Sequence, residues 1–170
     1  MEIQSKESAS TLSNDITILT AEINSYKQIA GQAIFEIGLR LKKVKEEKLS
    51  EIWGGWTKYC DDIIKVPVRH ANKFILIEER LGEKWSTSTT IGFEVLYQLA
   101  TLSPEERERP HTIPSTGETK SVDEMTVREL REVKRALRAE KESRELAERQ
   151  RDEALESAQR QHLSRHGEAV

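Results

Sequence analysis

The stretch GGWTKYCDDIIKVPVRHANKFILIEERLG, residues 54–82, decides how the rest of the chain is interpreted. Gly54 and Gly55 interrupt the helical periodicity and predict a turn. The pattern after them predicts a short helix over residues 56–64, a turn of about four residues at KVPV, and a second helix over residues 66–81 that opens with a proline. This order is the helix-turn-helix pattern, and many ordinary αα-corners have the same sequence signature.

The predicted second helix has a polar beginning and an apolar face. Phe74, Ile75 and Ile77 form the buried stripe. In a recognition helix the first turns reach the base edges of DNA, where Arg pairs with guanine and Asn with adenine. The alternative is a solvated polar face on an amphipathic helix. The candidate base-contacting residues are Arg69, His70, Asn72 and Lys73.

Length, composition and charge limit the classes of protein that fit. The 170 residues allow one domain and an appendage, and 34% of them are charged, which predicts a local core and much exposed helix. The net charge is −3, so any nucleic-acid contact must come from a local basic patch. No apolar run is long enough for a membrane span and the first ten residues lack an apolar signal core, which predicts an intracellular protein.

The sequence contains no pattern typical of catalysis. The single cysteine, Cys60, excludes a disulfide framework and is interpreted as a small buried residue. His162 and His166 have i,i+4 spacing but lack a third ligand. No phosphate-binding glycine pattern and no isolated acid–base pair occurs. We therefore predict a protein that is not an enzyme and that has no catalytic residues, no metal and no cofactor.

A long helical pattern begins at about residue 14 and carries an apolar stripe with heptad spacing. This stripe predicts either the seam of a homodimer or a face that packs on the protein's own domain. Its members are Ile16, Leu19, Ile23, Tyr26, Ala30, Ala33 and Ile37. The helix ends in the basic run RLKKVKEEK, which suits a helix C-terminus and is either solvated or in contact with phosphates. The candidate phosphate-contacting residues are Lys42, Lys43, Lys45 and Lys48.

The second half of the chain carries the clearest capping signals. Thr126 and Glu129 have capping-box spacing and predict a helix that runs to about residue 163. Glu–Arg pairs in i,i+4 order support this helix, which is either solvated or a weak coiled coil. A second candidate seam near its beginning comprises Leu130, Val133 and Leu137.

The predicted organisation is all-α with at most one short hairpin. A further helix follows residue 90, and a capped turn begins at Ser103. Residues 112–113 pair with residues 120–122 around Gly117 in the predicted hairpin. The predicted segments are a disordered tail (1–12), a helical core (13–110) with the helix-turn-helix-like unit (56–81), a hairpin or linker (111–125), a charged helix or weak coiled coil (126–163) and a frayed tail (164–170).

Three runs together resemble a family of proteins found in phages, prophages and plasmids of Gram-positive bacteria: IFEIGLRLKKVKEEKLSEIWGGWTKYC, RHANKFILIEERLG and VDEMTVRELREVKRAL. The resemblance extends over roughly residues 15–140 and implies a long helix, a helix-turn-helix-like unit and a charged helical tail. That layout is similar to plasmid partition and replication-control proteins. Family members often have a serine at the turn and a threonine before the alanine, where this chain has Pro67 or Val68, and His70. The family has no established activity.

Residues and resemblance together predict a DNA-binding protein of a phage or mobile element that acts in regulation, replication or partition. Its predicted partners are DNA, a second copy of itself in a homodimer, and possible host proteins, with no membrane contact. The predicted location is the cytoplasm of a bacterial host cell. The alternative function is a non-enzymatic interaction protein that binds and inhibits or redirects a host protein, and the acidic pI of about 5.9 fits this alternative.

Overall fold

A computed structural model describes residues 12–85 and 91–167 and confirms the all-α prediction. The described chain forms two compact units that meet in sequence between Thr101 and Leu102, inside the predicted core of residues 13–110. Parts of both predicted tails, residues 1–11 and 168–170, lie outside the described residues. No helix in the described ranges is both long enough and apolar enough to cross a membrane. The α-helices are α1 (Ile16–Glu46), α2 (Trp56–Lys58), α3 (Val68–Trp85), α4 (Phe93–Ala100), α5 (Pro104–Glu108) and α6 (Val127–Gly167).

The long helix α1 packs against α3 through its second half. Asp15 caps its beginning, with the Oδ1 atom accepting a hydrogen bond from the backbone N–H of Thr17 at 2.7 Å. Gly38 sets the distance between the helices, because an added Cβ there would lie 2.9 Å from the Cβ of Glu78 and still closer to the backbone oxygen of Phe74. The absence of a side chain at this position is what lets α1 approach the backbone of α3. The buried residues of α1 are Gly31, Phe35, Gly38 and Leu41.

The apolar stripe predicted from heptad spacing is not the face that α1 buries. Ile16, Ile23 and Tyr26 are largely exposed in the single chain, and Ala30 and Ile37 are exposed as well. Leu19 and Ala33 are intermediate. For the exposed members, the expectation that the stripe packs on the protein's own domain is therefore wrong. The homodimer prediction stays a prediction.

The predicted order of a short helical segment, a turn and a longer helix is present in unit 1, which comprises the chain up to Thr101. Gly54 and Gly55 adopt φ angles of 86° and 98°, as the predicted turn requires. Next, α2 continues into a π-helical turn over Tyr59–Ile63, and four residues separate that turn from α3. Helix α3 runs through Gly82 to Trp85, beyond its predicted end, because the glycine is accommodated within the helix.

A small apolar cluster holds the helix-turn-helix-like unit together. Cys60 and Ala71 are 0% exposed and meet Leu41 and Ile75, so one cluster joins α1, the π-helical turn and α3. The partly buried side chains around it are Trp56, Tyr59, Ile64, Val66, Val68 and Phe74. Trp53 lies outside this cluster, because its side chain is 50% exposed on the 3₁₀ turn over Leu49–Trp53.

Unit 2, which begins at Leu102, confirms the local capping signals. Ser103 and Glu106 form a reciprocal capping box at the beginning of α5. A two-stranded antiparallel hairpin follows, with β1 (His111–Thr112) paired to β2 (Thr119–Lys120) around Gly117, whose φ is 72°. The hairpin is the predicted one, but each strand begins one residue before its predicted position, and Val122 belongs to a 3₁₀ turn. The hairpin is the only sheet within the described ranges. Gly92 occupies the N-cap of α4.

The beginning of α6 is anchored and the rest of it is solvated. Thr126 and Glu129 cap each other's backbone N–H groups at 3.3 and 2.7 Å. Leu130 and Val133 are 0% and 2% exposed, so they belong to the core of unit 2. This placement corrects the prediction that they form an oligomerisation seam, because buried side chains are not available to a second copy. Leu137 is intermediate, and every described side chain from Arg138 onward is exposed.

Candidate nucleic-acid interface

The candidate interface is the solvent-facing ridge of α3. Ala71 and Ile75 point into the apolar cluster, so the residues about half a turn away point outward. Arg69, Asn72 and Leu76 follow one another at helical spacing along this outward face. Arg69 and Asn72 are exposed and Leu76 is intermediate. We call these three residues the α3 ridge.

Lys45 links the basic end of α1 to the α3 ridge. Its Nζ atom donates a hydrogen bond to Oδ1 of Asn72 at 2.9 Å. The same Nζ lies 5.5 Å from the centre of the Trp56 ring, in the geometry of a cation–π contact. These two contacts hold Lys45 beside the ridge. The Asn72 amide oxygen accepts from Lys45, and the amide nitrogen still has two N–H groups that can donate.

A cavity of about 510 Å³ lies on the α4 side of the ridge. The Nζ atom of Lys73 lies 4.1 Å from the centre of the Tyr97 ring and 3.4 Å from Oε2 of Glu94. Much of the Lys73 charge is therefore directed inward, toward a carboxylate and an aromatic face. The residues that line the cavity are Arg69, Asn72, Lys73, Leu76 and Tyr97.

A second cavity of about 480 Å³ lies on the α1 side of the ridge. Here the Nζ atom of Lys42 lies 3.6 Å from Oε2 of Glu78 and 3.7 Å from Oε1 of Glu79. These carboxylates offset the charge of Lys42, so it is less available to a phosphate than its sequence position suggests. The first two turns of α3 carry Arg69 and Lys73, whereas charges of both signs alternate further along the helix, at Glu78, Glu79 and Arg80.

His70, Lys43 and Lys48 are not part of the ridge. His70 is exposed but lies about 100° around the helix from Arg69, with its ring edge-on to Phe93 at 6.3 Å. Lys43 lies about 100° around α1 from Lys42, and its Nζ is 3.9 Å from Oε1 of Glu47. Lys48 follows α1 in a left-handed conformation with φ of 54°. The structure thus brings together Arg69, Asn72, Lys73, Lys42 and Lys45 out of the eight predicted residues.

Cys60 and His111 are both buried, and their contacts are those of structural residues. Cys60 is buried, and burial followed by the charge of Asp61 raises the pKa of its thiol, which stays protonated at neutral pH. His111 is also buried, and its Nε2 atom donates to the backbone oxygen of Glu106 at 2.6 Å. Among the described residues, no group of three or more His, Cys, Asp or Glu side chains is arranged to hold a metal ion.

Sequence reasoning missed the partners that shape the interface. Lys45 and Asn72 are 27 positions apart, and Lys73 and Glu94 are 21 apart, so no local pattern connects them. Helical spacing within α3 does identify Leu76 as a member of the Arg69–Asn72 face. No protein family model, no curated protein and no solved structure matches the chain.

Proposed function

We propose that the protein binds DNA through the α3 ridge, with Arg69 and Asn72 facing the bases and Lys45 beside the phosphates. The observation that carries the proposal is the exposed pair Arg69 and Asn72 at the first turns of α3, braced from α1 by the 2.9 Å Lys45–Asn72 hydrogen bond. The first turns of a helix are the part that enters a major groove in helix-turn-helix proteins. Helix α3 is contacted on both sides of the ridge, by Lys45 of α1 at Asn72 and by Glu94 of α4 at Lys73.

The proposed contact is local, as the charge of the whole chain requires. Glu78 and Glu79, further along α3, are paired with Lys42, so the proposed contact rests on Arg69 and Asn72 at the beginning of the helix. On this proposal, the protein has no enzymatic activity and acts in the cytoplasm of a bacterial host. The proposed role in a phage or mobile element is based on the family resemblance alone.

The experiment that tests this proposal selects binding sites from random duplex DNA and measures affinity for the selected site by fluorescence anisotropy at two salt concentrations. Arg69→Ala and Asn72→Ala are expected to cost about 1–3 kcal/mol each on that site and to relax its base preference, because a lost bidentate contact removes discrimination. Lys45→Ala is expected to weaken binding to all sequences and to lower the salt slope by about one unit.

The matched control is Arg138→Ala, which removes another exposed arginine, from α6. It should leave affinity and site preference unchanged. Circular dichroism of each variant shows whether α3 remains folded. The proposal is contradicted if the wild-type chain selects no sequence, or if the folded Arg69 and Asn72 variants bind the selected site as tightly as the wild-type chain.

The second candidate function is the binding of a host protein by the same surface. The observation that favours it is the apolar component of the interface: Leu76 and Tyr97 line the cavity beside Lys73, whose charge is partly offset by Glu94. Protein interfaces are enriched in aromatic and arginine side chains. This function would be favoured over DNA binding by two results together. A host protein would co-purify with the wild-type chain but not with Arg69→Ala or Tyr97→Ala, and the wild-type chain would select no DNA sequence.

A further inference from the structure

The first half of α1 carries an apolar stripe that no described residue of unit 1, in 12–85 and 91–101, covers. Ile16 is 76% exposed, Ile23 58% and Tyr26 71%. These fractions are high for large apolar side chains that recur on one face of a helix, and such faces commonly mark an interaction site. The stripe has heptad spacing from Ile16 to Ala30, a helical length of about 22 Å.

Helix α3 does not cover this stripe because it packs on a different face and a different part of α1. The buried positions begin at Gly31 and continue through Phe35 and Gly38. This packed face lies about 100° around the helix from the stripe. The stripe therefore remains open when α1 and α3 are fully packed.

We infer that a second copy of this chain covers the stripe, in a parallel two-stranded coiled coil formed by residues 16–30 of both copies. The heptad assignment supports two parallel strands. Ile16 and Ile23 occupy the first core position of successive heptads, and Leu19 occupies the fourth. β-Branched residues at the first core position with leucine at the fourth favour parallel dimers.

The charges beside the stripe select the parallel orientation. Glu22 lies on one flank of the stripe and Lys27, five residues later, lies on the other. In a parallel pair, the flank of one helix meets the opposite flank of its partner with this five-residue offset, so Glu22 of each copy faces Lys27 of the other. Within residues 12–85 and 91–167 of the single chain, neither side chain has a salt-bridge partner.

An antiparallel pair would place like flanks together. The flank that contains Glu22 also carries Asp15 and Glu36 at heptad intervals, so acidic residues would be brought toward one another. Like charges at these positions are unfavourable, whereas the parallel arrangement forms two symmetric Glu22–Lys27 pairs. The charge pattern therefore discriminates between the two orientations of the same apolar seam.

The fold reduces the cost of this association. An isolated helix of this length is marginal in water. Residues 16–30 are instead the continuation of a helix whose second half is already fixed on α3. A surface that is ordered before binding loses less conformational entropy when the partner arrives. The dimer does not depend on DNA binding, and the two proposals fail independently.

The first test is a charge exchange measured by sedimentation equilibrium of the full chain. Glu22→Lys alone and Lys27→Glu alone are expected to raise the dimer Kd roughly tenfold, because each turns two attractions into two repulsions. The double variant is expected to return the Kd to near the wild-type value. Gln28→Lys, on the far side of α1, is the matched control and should leave the Kd unchanged.

The second test reads the orientation directly by oxidation with diamide. Ala30→Cys is expected to form a disulfide-linked dimer, because identical core positions face each other in a parallel pair. The wild-type chain, with only the buried Cys60, and Gln28→Cys are the controls that should stay unlinked. A wild-type chain that sediments as a monomer at micromolar concentration overturns the inference. So does a double charge variant that fails to recover dimerisation, or a failure of Ala30→Cys to cross-link.

Discussion

The two long helices of this protein, α1 and α6, are each anchored over one part of their length and exposed over the other. The exposed part of α1 carries large apolar side chains on one face. The exposed part of α6 is almost entirely charged, and three of its i,i+4 pairs are Arg138–Glu142, Arg144–Glu140 and Arg160–Glu156. Exposed helices can therefore be of two kinds. One has an apolar face that a partner can cover, and the other is stabilised in water by ion pairs between its own side chains.

The anchored parts differ as well. Helix α1 approaches α3 through glycine, at Gly38, which brings two backbones together. Helix α6 is held by large apolar side chains, Leu130 and Val133, and by a capped first turn. The first kind of anchor is sensitive to added volume and the second to removed volume. Three predictions use this contrast, and the first has the largest expected effect.

Removal of volume should damage the anchored part of α6 and spare its exposed part. Leu130→Ala is expected to destabilise unit 2 by about 2–5 kcal/mol, because a fully buried leucine leaves a cavity. Leu146→Ala, at a position 52% exposed, should remain within about 0.5 kcal/mol of wild type. Urea unfolding followed by circular dichroism measures both variants. Equal effects for the two leucines would remove the distinction between anchored and solvated helix.

Addition of a single methyl group should have opposite effects at Gly38 in α1 and at Gly82 in α3. Gly38→Ala is expected to destabilise unit 1 by about 1–3 kcal/mol, because the methyl group would overlap the backbone of α3. Gly82→Ala meets only side-chain atoms of Glu78 at 3.4 Å or more, so it should be stabilising by up to about 1 kcal/mol through helix propensity.

Tryptophan fluorescence during urea unfolding measures this pair of variants, since Trp53, Trp56 and Trp85 all belong to unit 1. The two alanine variants should shift the unfolding midpoint in opposite directions. A stabilised Gly38→Ala protein would show that the two helices do not need their close approach.

The pH dependence of stability should report on the beginning of α6. The backbone N–H of Thr126 and the ammonium group of Lys120, which is 2.9 Å away, lower the pKa of Glu129 to about 2. Because the folded-state pKa lies below the unfolded value of about 4.3, Glu129 contributes stability above that pH. This contribution is lost as the pH falls from there through about 2.

In Glu129→Gln, the free energy of unfolding should decrease less between those pH values than in the wild-type protein. The glutamine side chain can still accept a hydrogen bond from the Thr126 N–H, so the cap and the fold are preserved. Glu153→Gln, in the solvated part of α6, is the control and should keep the wild-type profile. Urea unfolding at a series of pH values, followed by circular dichroism, measures the effect. An unchanged acid limb in Glu129→Gln would show that the cap contributes nothing that titrates.

Sequence by itself determined the features that depend on neighbouring residues. The capping boxes at Ser103 and Thr126, the hairpin around Gly117 and the turn at Gly54 and Gly55 were all predictable and are confirmed. Each depends on hydrogen bonds or backbone angles within a few positions, so the signal is present in a short window. The exposed polar start of α3 was predictable for the same reason, from helical periodicity.

Only the tertiary structure decided which face of α1 is buried and which side chains the lysines contact. Heptad spacing in α1 pointed to the stripe that contains Ile23, whereas the buried face is the one that contains Gly38, because a close backbone approach depends on the partner helix and leaves no apolar periodicity. Likewise, Lys45 is directed to Asn72, and Lys42 to Glu78, by residues distant in sequence. The energy of a charge or an apolar side chain depends on what folding brings near it, so these assignments belong to the fold and not to the local sequence.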